Sequence, residues 1–234
     1  MTSYKSMSDK PSVRSPWFWV PSLYFAQGIP YVAVMIVSVL MYKRLGVSNT
    51  DIALYTSWLN LPWVIKPFWS PFVDLLKTKR WWVVTMQLLI GAGLAGVAFT
   101  IPTTFFFQAS LAVFWLLAFS SATHDIAADG FYMLALDSHE QAFFVGIRST
   151  FYRIAIIAGQ GVLVMFAGFL ENSTGNIPLA WSVTFFILGG LFLALFLYHR
   201  YILPLPKGDK PSATVTPSTI LKEFFATFAS FFKK

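Results

Sequence analysis

Along this chain, runs of apolar residues long enough to cross a bilayer alternate with short polar segments, and they do so six times. The runs cover residues 17–41, 52–72, 81–99, 105–133, 143–170 and 180–202. As helices rising about 1.5 Å per residue, each comes close to or exceeds the roughly 30 Å of a hydrocarbon core. The connections are short and rich in turn and cap residues: Gly46-Val47-Ser48-Asn49-Thr50, Pro102-Thr103-Thr104 and Ser173-Thr174-Gly175-Asn176. Beyond residue 202 the pattern changes. Residues 203–218 are polar and proline-bearing and read as a linker. In 219–234, Ile220, Leu221, Phe224, Phe225, Phe228 and Phe231 recur at helical spacing beside Lys222 and Glu223, which predicts an amphipathic interfacial helix. The pattern therefore divides the chain into an N-terminal segment (1–16), a six-helix bundle (17–202), a linker (203–218) and an amphipathic helix (219–234). A chain that stops at Phe231-Phe232-Lys233-Lys234 reads as interrupted, with a second bundle expected to follow.

Composition agrees with a membrane as solvent: 56% of the 234 residues are hydrophobic and only 12% are charged. The net charge of +7 raises the question of nucleic acid, but the basic residues are scattered in short segments between apolar runs. With no cysteine, a disulfide framework, a thiolate metal site and a cysteine nucleophile are excluded within this sequence. The first apolar run exceeds a signal-peptide core and is read as a retained helix. Lys5, Lys10 and Arg14 precede helix one, Lys77, Lys79 and Arg80 follow helix two, and Arg200, Lys207 and Lys210 follow helix six. These segments fall on one side, whereas the other has only Lys43 and Arg44, so the positive-inside rule predicts that both ends are cytoplasmic. Trp17, Trp19, Trp81, Trp82 and Trp181 stand at expected helix ends, where their rings suit the lipid interface.

Polar residues inside hydrocarbon are costly and mark functional candidates. Helix four carries Thr123-His124-Asp125-Ile126-Ala127-Ala128-Asp129-Gly130, with the two aspartates four apart on one face. About the turn near His139, Asp129 and Arg148 lie ten and nine residues away, and Asp125 and Arg153 fourteen each, which predicts two acid–base pairs at matched depth. Either the pairs lock helix four to helix five, or one carboxylate releases its arginine upon protonation and couples a proton to a conformational change. His124 reads as a core hydrogen bonder or as a third member of this cluster. Lys66, flanked by Pro62, Pro67 and Pro71, either snorkels to the interface or faces a cavity, where with Arg153 it would attract an anionic substrate. Gln27-Gly28-Ile29-Pro30 is expected to interrupt helix one, with Gln27 a candidate substrate contact and the glycine and proline equally at home in packing. Asp74 with Lys77, Lys79 and Arg80 forms a candidate cytoplasmic latch, or a solvated charge run. Gln87 and Gln160 read as interhelical hydrogen bonders, and Gly91, Gly93 and Gly96 as a close-packing patch. Asn172-Ser173-Thr174 matches a glycosylation sequon.

Taken together, Tyr24-Phe25-Ala26-Gln27-Gly28-Ile29-Pro30, the stretch from Leu61 to Asp74 and the segment Ala122 to Gly130 resemble the AmpG-type muropeptide permeases and related acetyl-coenzyme A transporters of the major facilitator superfamily. The helix-four signature of that family usually has glutamine where this chain has His124. The resemblance implies an all-α membrane fold, with this chain as the six-helix N-terminal bundle of a twelve-helix transporter. It implies a cavity alternately open to either side, in a multi-pass protein of the inner membrane. It further implies proton-coupled movement of a small anionic or sugar-containing solute, muropeptide-like in one branch and a nucleotide thioester in the other. The expected partners are that solute, protons, the lipid bilayer and a C-terminal six-helix half, supplied by the same chain or by a second copy. No catalytic residue, cofactor, metal or nucleic acid is expected. Gln27, Lys66, His124, Asp125, Asp129, Arg148 and Arg153 are the candidate substrate-binding or coupling residues, and Asp74 and Arg80 the latch. Two other readings remain at this point. An intramembrane metal-dependent transferase would use Asp125 and Asp129 for magnesium diphosphate, and a six-helix scaffold would use its small-residue faces.

Overall fold

The computed structural model describes residues 15–210, and every regular element among them is helical. The expected amphipathic helix at 219–234, the segment 1–14 and the linker beyond residue 210 lie outside the described residues. Six helical elements weave up and down: α1 (Pro16–Arg44), α2 (residues 49–76), α3 (Lys79–Thr100), α4 (Phe106–Ala135), α5 (Ser138–Thr174) and α6 (Ile177–Ile202). Five are continuous, and each is long and apolar enough to cross a membrane. The exception is α2, built from the short pieces Asn49–Thr56, Ser57–Asn60, Leu61–Val64, Lys66–Phe68 and Ser70–Leu76. Pro62, Pro67 and Pro71 each stand in the first turn of one of the last three pieces. Proline has no N–H to give to a preceding turn, so each restarts the helix instead of continuing it.

The helix ends follow local chemistry. Ser48, Thr78 and Asn176 cap α2, α3 and α6 through their side-chain oxygens, and Asp137 and Glu140 form a reciprocal capping box at the start of α5. Gly175, at φ 64°, ends α5 in the left-handed conformation that a residue with a Cβ disfavours. Inside the bundle α3 is held between α4 and α6, while α1 packs against both α4 and α5. The α3–α6 crossing is glycine on glycine: a Cβ on Gly189 would lie 3.1 Å from the Gly91 carbonyl oxygen. Gly93 receives Leu117 and Gly96 receives Val113 of α4, so the small-residue patch of α3 packs against helices on both sides.

Helix one does not break at Gln27–Pro30, contrary to the sequence expectation. The helix runs through Pro30, and the irregularity falls one turn later, in a wide π turn at Ala33–Val37. A matching π turn at Gly159–Leu163 of α5 packs against it, and Gly159 leaves the space that the Val32 side chain fills. Gly28 permits the same intimacy one turn earlier, where a Cβ would lie 2.7 Å from Ala155 Cβ and 2.9 Å from the Tyr152 carbonyl oxygen.

Two apolar clusters form the interior, one at the basic end around Trp19, Phe131 and Val83, the other toward the opposite end around Tyr42, Phe114 and Phe185. A buried polar chain runs between them. Ser22 of α1 bonds His199 of α6 (3.0 Å), His199 bonds Gln87 of α3 (3.0 Å), and Gln87 bonds His124 of α4 (3.1 Å). One hydrogen-bonded line therefore joins four helices. At the opposite end, Arg44 of α1 grips both carboxylate oxygens of Glu171 on α5, and Trp181 of α6 donates to the same group at 2.7 Å.

Two stability predictions follow from this packing. Gly28→Val forces α1 away from α5 and should cost about 1–3 kcal/mol, read as a lower Tm in detergent. Gln87→Leu leaves both histidine partners without their bond, at about 1–3 kcal/mol for each buried group; an unchanged Tm would show that the polar line carries no stability.

Candidate functional site

The site grows from one turn of α4. Residues four apart on a helix share a face but are offset by about 40°, and that offset sends Asp125 and Asp129 to different neighbours. Asp125 turns to α2, where it forms an ion pair with Lys66 at the start of one of the proline-led turns. Asp129 turns to α1 and α5. There its Oδ1 accepts from the Tyr24 hydroxyl at 2.9 Å and from Arg148 Nη1 at 3.3 Å, while Arg148 also donates to the Tyr24 oxygen at 3.0 Å. The Arg148 guanidinium lies over two tyrosine rings, 5.2 Å from the centroid of Tyr24 and 5.0 Å from that of Tyr132.

One expected pair is therefore corrected. Asp129 and Arg148 meet, but Asp125 takes Lys66 and not Arg153. Matched depth across the turn between α4 and α5 is necessary for contact and not sufficient, because direction around the helix axis also counts. Here α1 lies against both helices, and its Tyr24 stands in the Asp129–Arg148 pair.

Two cavities meet at Asp129. One, about 460 Å³, opens between α2 and α4 and is bordered by Lys66, Asp125, Asp74 and Lys79. The other, about 370 Å³, opens between α1 and α5 and is bordered by Tyr24, Gln27, Arg148, Tyr152 and Arg153. Asp129 lines both. Its side chain is 48% exposed, against 15% for Asp125. Arg153 is exposed and makes no ion pair among the described residues. Gln27 presents a buried Oε1 with no hydrogen-bond partner among the described residues.

His124 stands apart from this group. Adjacent helical residues are turned by about 100°, so a neighbour of Asp125 points elsewhere, and His124 is fully buried against Gln87 in the line between the apolar clusters. At the basic end, Asp74 pairs with Lys79, whose stem crosses Gly130 where any larger residue would collide with it. Arg80 donates to the carbonyl oxygens of Leu203 at 3.3 Å and of Arg200. Sequence reasoning did not single out Tyr24, Tyr132 or Tyr152. The available signal was that Tyr24 precedes Gln27 by three residues, the spacing of a shared helix face. Nor did it single out Glu171, whose partner Arg44 is distant in sequence.

The comparisons bear on what this arrangement serves. The BT1 family profile matches residues 25–228. A protein of Rickettsia conorii named as transporter AmpG 4 is 29% identical over 181 residues, which is 71% of this chain and 40% of that protein. Its namesake from Rickettsia felis is 27% identical over 225 residues, 88% of this chain and 50% of that one. The anhydromuropeptide permease of Escherichia coli K12 is 27% identical over 151 residues, 61% of this chain and 30% of the permease. The chain thus spans half or less of the length of these curated relatives. They are named as transporters and a permease, which turns the reading away from an intramembrane transferase; both aspartates in turn already hold cationic partners.

The two carboxylates should differ in what they hold. Removing one partner of a buried pair costs up to about 3–5 kcal/mol, whereas exposed pairs are worth about 1 kcal/mol or less. Asp125→Asn should therefore lower the Tm more than Asp129→Asn, followed by tryptophan fluorescence on heating; the reverse order would make Asp129 the structural partner.

Proposed function

The chain belongs to the BT1 family, and from that premise we propose that it forms the N-terminal six-helix half of a proton-coupled secondary transporter. The other half is six further helices, from the same polypeptide or from a second copy, and the two enclose a cavity that opens alternately to either side of the membrane. The observation that carries the reading is the position of Asp129. It lines two cavities, is half exposed, and is held by the Tyr24 hydroxyl and Arg148.

A carboxylate in that setting can exchange a proton with water in the cavity. Protonation removes the charge that opposes Arg148, which remains over its two tyrosine rings and gains freedom to meet an anion. Asp125 and Lys66 are less exposed, and we assign them the role of fixing α2 to α4 beside the moving pair. Among the described residues Arg153 makes no ion pair and the Gln27 carbonyl oxygen accepts no hydrogen bond, and the two supply a cation and an acceptor to the α1–α5 cavity. That combination suits a small solute carrying both an anionic group and hydroxyl or amide donors. A muropeptide-like compound has those groups, in keeping with the name of the Escherichia coli relative. His124 acts in this reading as support behind the site. Asp74 and Arg80 act in the latch, Asp74 through Lys79 and Arg80 through the end of α6. The basic end faces the cytoplasm, and the membrane is the inner membrane.

Transport by the full-length protein in proteoliposomes tests this. Asp129→Asn and Arg148→Ala should each abolish accumulation driven by a proton gradient, while Asp129→Asn retains solute exchange at equal pH. Normal accumulation in both variants would sink the coupling role.

A further inference from the structure

A third cavity, about 490 Å³, lies away from the site, between α3 and α6 at the basic end. It is layered. Thr78, Arg80, Arg200 and Asp209 surround its outer end, and Val84, Leu88 and Phe196 line it deeper along the two helices. The α3 contribution comes from Arg80, Trp81, Val84, Thr85 and Leu88, which share one side of the helix, with the cap Thr78 just before them. That face is turned outward: Trp81 and Leu88 are exposed, as are Leu193 and Leu197 beside Arg200 on α6. In a chain that crosses a bilayer, such a groove meets lipid.

We propose that this groove binds an anionic phospholipid, its phosphodiester headgroup at the arginines and one acyl chain along Val84, Leu88 and Phe196. Charge and polarity both point to that occupant. Arg200 forms no ion pair among the described residues. Asp209, the acidic residue of the groove, spends its carboxylate on the first amides of α3, accepting from Lys79 N at 2.6 Å and Arg80 N at 3.0 Å. The helix terminus is thus already satisfied, and the headgroup is left to the side-chain cations. Lys77 adds a further positive charge above the Trp81 ring, 5.9 Å from its centroid. A basic pocket between transmembrane helices on the positively charged side of a membrane protein is the setting in which acidic headgroups are held. A soluble anion would use the arginines and leave the apolar floor empty, whereas a lipid uses both layers. Because Asp209 and Leu205 belong to the chain just after α6, a lipid seated here also braces the start of that connection against α3.

Native mass spectrometry of the full-length protein, with phosphatidylglycerol and phosphatidylcholine of matched acyl chains competing, tests the assignment. Phosphatidylglycerol should be retained in preference. Arg200→Gln should reduce that preference about five-fold, the weight of one juxtamembrane cation, while Lys43→Gln at the opposite end leaves it unchanged. Thr85→Phe fills the groove without touching a charge and should also displace the lipid, so the proposal remains testable if the arginine variant does not fold. Equal retention of the two lipids, or wild-type retention in both groove variants, would overturn it. Displacement of phosphatidylglycerol by millimolar inorganic phosphate would overturn it too, by making the groove a site for free anions.

Discussion

Inside a bilayer there is no water to satisfy a polar group, so a donor, acceptor or charge that finds no partner within the protein or in a cavity is costly. The architecture of the chain follows from that constraint. Helices meet their backbone requirements internally, and the one element that cannot, α2 with its three prolines, restarts as short turns against α4. The same requirement explains why the buried side chains form connected lines. Ser22, His199, Gln87 and His124 join α1, α6, α3 and α4 between the two apolar clusters, while Arg44, Glu171 and Trp181 tie α1, α5 and α6 at the far end. Single interhelical hydrogen bonds in membranes average only about 0.6 kcal/mol; the greater consequence is that breaking one strands its partner.

Against that background the two aspartates of α4 stand in unlike surroundings. Asp125 and Lys66 are mostly withdrawn from solvent and tie the irregular α2 to a continuous helix. Asp129 is half exposed, shared between two cavities and held in part by a tyrosine hydroxyl that itself accepts from Arg148. A hydroxyl in that position can keep the arginine in place while the carboxylate changes its charge, and this is the property that the proposed coupling uses. Small residues give the frame its closeness: α1 and α5 touch at Gly28 and again where their π turns meet at Gly159.

Much of this was legible in one dimension. Six apolar runs, the charge asymmetry between the two ends, the close-packing glycines of α3 and the combination of motifs in helices one, two and four all pointed to a membrane bundle of the permease type, and the family match agrees. The Asp129–Arg148 pair was also within reach, because an antiparallel turn converts sequence distance into depth. The Asp125–Arg153 pair failed because depth carries no information about direction around the helix. The break expected at Gln27–Pro30 failed because the helix tolerates the missing proline N–H and places its irregularity at Ala33–Val37, where α5 has a complementary wide turn.

By itself, the sequence determined what depends on runs and spacing: the membrane as solvent, the helical class, and the set of polar residues that must be explained. Only the tertiary structure decided which of those residues meet. It sent His124 into the buried line with Gln87, gave Lys66 to Asp125, brought Tyr24 between Asp129 and Arg148, and folded Asp209 back onto the first turn of α3. The reason is geometric. Hydrophobic periodicity sets which side of a helix is buried, but the partner on that side is chosen by how helices far apart in sequence pack, and a short polar side chain reaches only what that packing brings within about 3 Å.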